Sequence, residues 1–313
     1  MGVRRRTVLR AAALSGVLGV PGCAGLQRAA GFGDVVRIAV SWSTAELAAF
    51  GRILATFGTE GYELMPLGDN IDAALGARTT NRPNLLALPQ PGHVAANRAD
   101  LAELPADLWQ PEYDRIWSQQ LPADEGKHYA LPFKLAHGSV VWYRRKVFEA
   151  LGLSPPRTWE EWLELNSAIS ASGVAPLALG GADGWMLAGF FENVLLRNFH
   201  RTYDALVEPA HDPGLWESDD VRATFAMLAQ MWGRPEFLAG GPERALIHQF
   251  PDAVLEVFRF HRAAMVVAPD FAESVIRWFG VPEDEVGTFT FPSRSGGKAP
   301  VVVKGDLLVL TRP

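Results

Sequence analysis

The residues able to do chemistry in this chain are few, and their spacing limits what they can do. Among 313 residues there is one cysteine, Cys23, so a disulfide framework, a cysteine-based zinc site and an iron–sulfur cluster are excluded together. The seven histidines, His93, His128, His137, His200, His211, His248 and His261, never fall in a His-x-x-x-His pair, which argues against a metal centre. No Gly-x-Ser-x-Gly turn offers a nucleophile and no Gly-rich loop offers a phosphate cradle. What remains are side chains suited to holding a ligand. Trp42 and Ser43 follow the first predicted strand, Gln90 follows the third, and Asp270 and Phe271 follow a later buried one. In an open parallel sheet, ligands sit beyond the carboxyl ends of the strands.

Cys23 takes its chemistry from its neighbours. Arg4, Arg5, Arg6 and Arg10 precede an uncharged run, 11–20, and no acid occurs before Asp34. The run is far shorter than the roughly 20 residues that cross a bilayer, so it reads as an export signal. Residues 5–10 resemble the twin-arginine consensus. Val20-Pro21-Gly22-Cys23 resembles a lipobox, departing from it at Val20 and Pro21. The expectation is a signal peptide over 1–22, a lipid on the Cys23 thiol and a tether over 23–33. Diacylglycerol supplies two chains, enough for stable attachment to the outer face of the cytoplasmic membrane. Loss of residues 1–22 removes four arginines and no acid, taking the net charge from −6 to −10, so the lipid and not charge would hold the protein there.

Composition sets the frame: 48% apolar, 20% charged and 10% aromatic residues describe a soluble chain with a substantial core. Thirty glycines and 22 prolines call for many tight turns between short elements. No Lys/Arg-rich run occurs past residue 10, which excludes a nucleic-acid partner. No internal repeat is present.

The elements that must position these residues alternate. A β-branched strand over 35–41 leads to a helix opened by Ser43 and Glu46 as a capping box, with Leu47, Phe50 and Leu54 on one face. A strand from Tyr62, a helix over 71–78 capped by Asn70, and a strand over 84–88 follow. This β-α-β-α-β order predicts a mostly parallel sheet. A second unit has a strand over 139–143, a helical stretch stopped by Gly152, a helix opened by Thr158 and Glu161 and running to about 172, and a strand over 176–179. A Gly-rich turn at 180–184 feeds a helix carrying Phe190 and Leu195, and 263–267 is a buried strand.

Several of these segments carry a resemblance. Tyr129-Ala130-Leu131-Pro132, Trp142-Tyr143-Arg144-Arg145, Phe148, Gly152-Leu153, Pro156 and Thr158-Trp159-Glu160-Glu161 resemble the signature of family 1 extracellular solute-binding proteins of ABC importers, the group of maltose-binding protein. Arg144-Arg145 replaces the usual Asn-Lys. Asp69-Asn70, Pro89-Gln90-Pro91-Gly92, Gly180-Gly181 with Asp183-Gly184-Trp185, and Gly305-Asp306 resemble the carbohydrate-binding branch. The resemblance implies a two-lobe α/β fold of the type II periplasmic-binding-protein class, with the ligand cleft between lobes. Lobe one is expected over 34–137 plus 292–313 and lobe two over 138–291, with crossings near 136–139, where Gly138 permits hinge dihedrals, and near 291–297. Members of the family continue well past the equivalent of Gly305-Asp306, so the chain is expected to be a C-terminally truncated member, with apolar surface and edge strands of lobe one left uncovered.

A sugar presents apolar C–H faces and a ring of hydroxyls, so the implied cleft needs aromatic plates and fixed carboxylates. Trp185 is expected to be the stacking aromatic. Asp270 with Phe271, Trp42 with Ser43, Asp69, Gln90, His137 and Asp306 are the other expected contacts, while Lys134 is expected to be solvated. Trp142, Trp159 and Trp162 fit strand and helix patterns and are expected in the core. The implied partners are a sugar or oligosaccharide and the permease subunits, with no cofactor, no metal, no catalysis and a monomeric state. A secreted glycoside hydrolase, whose two carboxylates stand about 5–10 Å apart, and a binder of a non-sugar solute are the alternatives.

Overall fold

Residues 36–40, apolar apart from Arg37, form β1 (Val36–Val40), which pairs in parallel with β2 (Tyr62–Pro66) and with β3 (Leu85–Leu88). The crossover from β1 to β2 is α1 (Thr44–Ala55), whose Phe50 and Leu54 are buried against the sheet. The computed structural model describes residues 35–42, 44–57, 61–76, 82–105, 108, 121, 126–208, 211–298 and 300–312, with only the backbone of Thr44, Asp69, Asn70 and Asp72. The expected signal, Cys23, the tether and Ser43 therefore lie outside the described residues.

The sheet is completed by β4 (Leu131–His137) and by β9 (Val303–Leu310), in the order β2-β1-β3-β9-β4. β9 runs antiparallel to β3, with Leu86 opposite Val309 and Ala87 opposite Leu308, so it is an interior strand flanked on both sides. Both faces are covered. Leu86, Leu88, Leu307 and Val309 point into one cluster with Ile71 and Leu101; Leu85, Ala87 and Leu308 point into another with Ile38, Phe50 and Leu54. Side chains alternate between the faces of a strand, and that alternation divides the two cores. After β3, Pro91 opens α2 (Pro91–Ala96). The expected helix over 71–78 is instead a 3₁₀ helix, Gly68–Ala74. Gly68, at φ 64°, turns the chain into the helix before Asn70, so Asn70 lies inside it and does not cap it.

The second sheet has the order β6-β7-β5-β8, from β5 (Val140–Arg144), β6 (Ala175–Ala178), β7 (Ala263–Val267) and β8 (Val286–Thr290). β6 and β7 are parallel; β5 is antiparallel to β7 and β8. α3 (Arg145–Leu151) stops at Gly152, φ 64°, as expected. α4 (Trp159–Ala171) opens on the expected capping box: the Thr158 hydroxyl accepts the Glu161 N–H at 3.1 Å, and the Glu161 carboxylate accepts the Arg157 and Thr158 N–H groups. Those two amides hold the Glu161 carboxyl below its ordinary range. The remaining helices are α5 (Trp185–Asn198), α6 (His200–Val207), α7 (Asp219–Trp232), α8 (Gly241–Ile247), α9 (Phe250–Phe258) and α10 (Ala272–Trp278). Trp142, Trp159 and Trp162 are all buried, as their patterns predict: Trp159 and, completely, Trp162 lie among Phe190, Phe237 and Phe291, and Trp142 lies among Met186, Phe250 and Val254.

Contacts divide the chain into two compact units: one takes in the described residues up to Leu135 and those from Gly305 on, the other is Ala136–Lys304. The passages lie inside β4 and inside β9. The second passage falls beyond the expected 291–297, and 292–304 belong with the second unit. The reason is local: the Gly138 N–H donates to Val302 O at 2.7 Å and the Val302 N–H donates to Ser139 Oγ at 2.8 Å, which zips this segment to the start of β5. Gly138 is not in the left-handed region expected of a hinge glycine; it is needed for space, since a Cβ there would stand 3.0 Å from Val302 O.

Candidate functional site

In the second unit the turn at 180–184 is shaped by glycines, of which Gly180 and Gly181 leave little room for a side chain. A Cβ on Gly180 would meet Met186 Sδ at 2.7 Å and Gln249 O at 2.8 Å. The Gly181 N–H donates to Ala245 O and the Ala182 N–H to His248 O, so the turn lies against the segment joining α8 to α9. Gly184, at φ 74°, then delivers Trp185 as the first residue of α5. Its ring centroid lies 5.3 Å from Phe250 and 6.0 Å from Phe271, and those two rings are 5.3 Å apart, edge to face. Trp185 and Phe271 are half-buried; Phe250 is the floor, 8% exposed. Asp270, beside Phe271, is exposed, and its N–H donates to His137 O at 3.0 Å. The structure thus brings together Trp185, Asp270 and Phe271 of the expected set, with His137 joined through its backbone.

Phe250 is the member sequence reasoning missed. A signal was present: Gln249 and Asp252 form a capping box, with the Gln249 N–H donating to the Asp252 carboxylate at 3.1 Å, and Pro251 opens the first turn of α9. That places Phe250 at a helix start, as Trp185 is. The segment beneath is pinned by Glu256, 2% exposed, whose carboxylate accepts from Arg262 and from Arg244 Nη2 at 3.1 Å and lies 3.8 Å from His248 Nε2. The hydrogen bond from Arg262, then that from Arg244, hold this carboxyl below its ordinary range against the opposing effect of burial.

The first unit holds a second polar group. The Trp42 indole N–H donates to Asp306 Oδ2 at 2.8 Å, and Lys134 Nζ stands 3.5 Å from the same oxygen and 2.7 Å from Glu46. Trp42 stacks on Phe133 at 6.0 Å and meets Phe50 edge-on at 5.0 Å. Trp42 and Asp306 are 7% and 5% exposed, so the indole packs in the core and the carboxylate already serves it. Burial pushes the Asp306 carboxyl up, opposed by Lys134 and the Trp42 bond. Lys134, expected to be solvated, is ion-paired because β4 aims it between two acids. Gln90 is exposed at the head of α2 and makes no capping bond. Of Asp69 only the backbone is described, in the 3₁₀ helix.

Among the described residues no group of three or more His, Cys, Asp or Glu is placed to hold a metal, and no helix is long and apolar enough to cross a membrane.

Known proteins place these features in a family. The chain is 28% identical over 247 residues to the osmoprotective compounds-binding protein GgtB of Synechocystis sp., covering 73% of this chain and 56% of that protein. It is 26% identical over 314 residues to the alpha-glucosides-binding periplasmic protein AglE of Rhizobium meliloti, covering 90% of this chain and 66% of that protein. The chain thus spans roughly half to two thirds of the length of these relatives. Its fold matches the bacterial solute receptor AcbH, which prefers β-D-galactopyranose, with a TM-score of 0.73 at 19% identity over 90% of this chain and 72% of that one. It also matches the solute-binding protein RafE in complex with raffinose, with a TM-score of 0.67 at 17% identity over 89% and 74%. The family profile described as bacterial extracellular solute-binding protein matches residues 75–239, more than half of the sequence, and the chain belongs to that family.

Proposed function

We propose that this chain is the carbohydrate-binding subunit of an ABC importer, capturing a sugar or oligosaccharide and delivering it to the permease without chemical change. The observation that carries this reading is the Trp185–Phe250–Phe271 cluster with Asp270 at its side. Half-buried indole and phenyl rings offer flat apolar faces to sugar C–H groups, and an exposed carboxylate accepts from hydroxyls. Relatives named for multiple sugars and for alpha-glucosides support the ligand class. Trp42 and Asp306 satisfy each other in the first unit, so their part in the proposal is to shape the surface around Lys134 and Glu46. A second reading, an osmoprotective compound as the ligand, is favoured by the Synechocystis relative.

The test is a thermal-shift and calorimetric screen of mono- and oligosaccharides and small osmolytes on the exported chain. A ligand at 100 times its dissociation constant adds about 2.7 kcal/mol of stability. Trp185→Ala is expected to weaken sugar binding about ten-fold or more, equivalent to about 1.4 kcal/mol, while costing about 1–2 kcal/mol of stability because the indole is only half-buried. Unchanged affinity in this variant would remove Trp185 from the site. Release of hydrolysis products from an oligosaccharide would replace the binding reading with the glycosidase one.

The same proposal includes export, by the twin-arginine route, as a monomeric lipoprotein anchored at Cys23. Cys23→Ser is expected to move the protein from the membrane to the soluble fraction with its melting temperature unchanged. A variant still membrane-bound after a carbonate wash would refute lipid anchoring.

A further inference from the structure

We infer that Asn193 is a positioning residue that couples the Trp185 end of α5 to both segments through which the chain leaves the second unit. The inference deepens the proposed site, since its purpose rests on Trp185 meeting the ligand. Trp185, Gly189 and Asn193 are spaced by four and so share one stripe of α5, with Asn193 about 12 Å along the axis from Trp185. Asn193 is 1% exposed, and its Nδ2 donates both to Gly189 O at 2.8 Å, within the helix, and to Gly138 O at 2.9 Å, beside the first passage. Both neighbours are carbonyls, so only the amide nitrogen can face them. Among the described residues, the Asn193 Oδ1 is buried with no hydrogen-bond partner. A core position that leaves an acceptor empty is a poor choice for stability alone, and the tie to Gly138 is what the side chain secures.

The second passage is held by the same stripe. Lys304, the last residue before the chain leaves the unit, pairs with Glu192 on α5. Its stem runs over two glycines: a Cβ on Gly138 would meet Lys304 Cγ at 3.0 Å, and one on Gly189 would meet Lys304 Cε at 3.9 Å. Gly138 and Val302 are themselves joined, Gly138 N–H to Val302 O and Val302 N–H to the fully buried Ser139 Oγ. The Asp270 N–H bond to His137 O brings the Phe271 side of the site to the same segment. A shift of α5 driven at Trp185 therefore has to displace Gly138 and Lys304 together, because close-packed groups have no slack to absorb it.

The experiment is a double-mutant cycle read by amide hydrogen exchange on the full chain without ligand, using Trp185→Ala, Asn193→Leu and the two combined. With Asn193 present, Trp185→Ala should speed exchange of the Gly138 and Val302 amides about ten-fold relative to the amides of β7; in the Asn193→Leu background the same change should alter them less than about two-fold. A purely structural Asn193 would slow or speed these amides without changing the effect of Trp185→Ala. An equal effect in both backgrounds, or no effect on these amides in either, overturns the inference. If Asn193→Leu does not fold, Glu192→Gln, which loses only the ion pair to Lys304, is measured in the same cycle. It should reduce the ten-fold effect to about three-fold, and an undiminished effect overturns the coupling. A chain that binds no sugar yet shows the coupling refutes the proposed function and leaves this inference standing.

Discussion

Replacing Glu256 with Ala is expected to cost the second unit about 3 kcal/mol at pH 7, the low end of the range for breaking a buried ion pair. The carboxylate is 2% exposed and holds two guanidinium groups, but those of Arg244 and Arg262 are 41% and 49% exposed and regain water once it is gone. The pH dependence fixes the mechanism. Hydrogen bonds from Arg262 and Arg244 lower the folded-state pKa of Glu256, so its stabilisation is complete above the unfolded glutamate value and is lost as pH falls through the folded one. The gap between wild type and variant in urea unfolding should therefore narrow as pH drops below about 4.5. A gap unchanged at pH 3 would mean that Glu256 acts by packing alone. Binding should weaken as well, because Ala245 O and His248 O, on the segment Glu256 pins, hold the turn that carries Trp185.

Gly305→Ala is expected to destabilise the first unit by about 3 kcal/mol or more, at the top of the range for overpacking. A Cβ at 305 would stand 2.0 Å from Lys134 O, a backbone atom of β4 that moves only if the strand moves. Gly305 is not in the left-handed region, so space alone demands the glycine. Displacing β9 from β4 parts the edge strand from the sheet and disturbs Asp306, which serves Trp42. Gly297→Ala is the control: the nearest atom to its Cβ is 3.9 Å away, and the change should stay within about 0.5 kcal/mol. Equal melting temperatures for the two variants would contradict the clash.

What was legible in the sequence was local. The Thr158/Glu161 capping box, the stop at Gly152, the three core tryptophans and the turn that delivers Trp185 all depend on residues a few positions apart, and all stand as expected. The 3₁₀ helix at Gly68–Ala74 escaped because a left-handed Gly68 starts the turn earlier than a capping Asn70 would. Long-range partners were also out of reach. Trp42 meets Asp306 across 264 positions, and no periodicity in either neighbourhood says that an indole N–H and a carboxylate will satisfy each other in the core. For Phe250 the helix start was legible but its neighbour was not, since only folding brings the start of α9 beside the start of α5. The second passage was misplaced because the bonds that draw 300–304 onto Gly138 and Ser139 link distant segments.

The interior place of β9 has a consequence for how the protein is made. β1 to β4 leave the ribosome first, yet the strand that belongs between β3 and β4 is translated only after the whole of Ala136–Lys304. Among the described residues, the four strands of the second sheet all precede β9. The usual order of co-translational folding, amino-terminal part first, is thereby inverted. A nascent chain arrested after residue 304 would carry those four strands and a first sheet with a strand-wide gap. The unpaired edges of β3 and β4 would face it, open to capture by another chain.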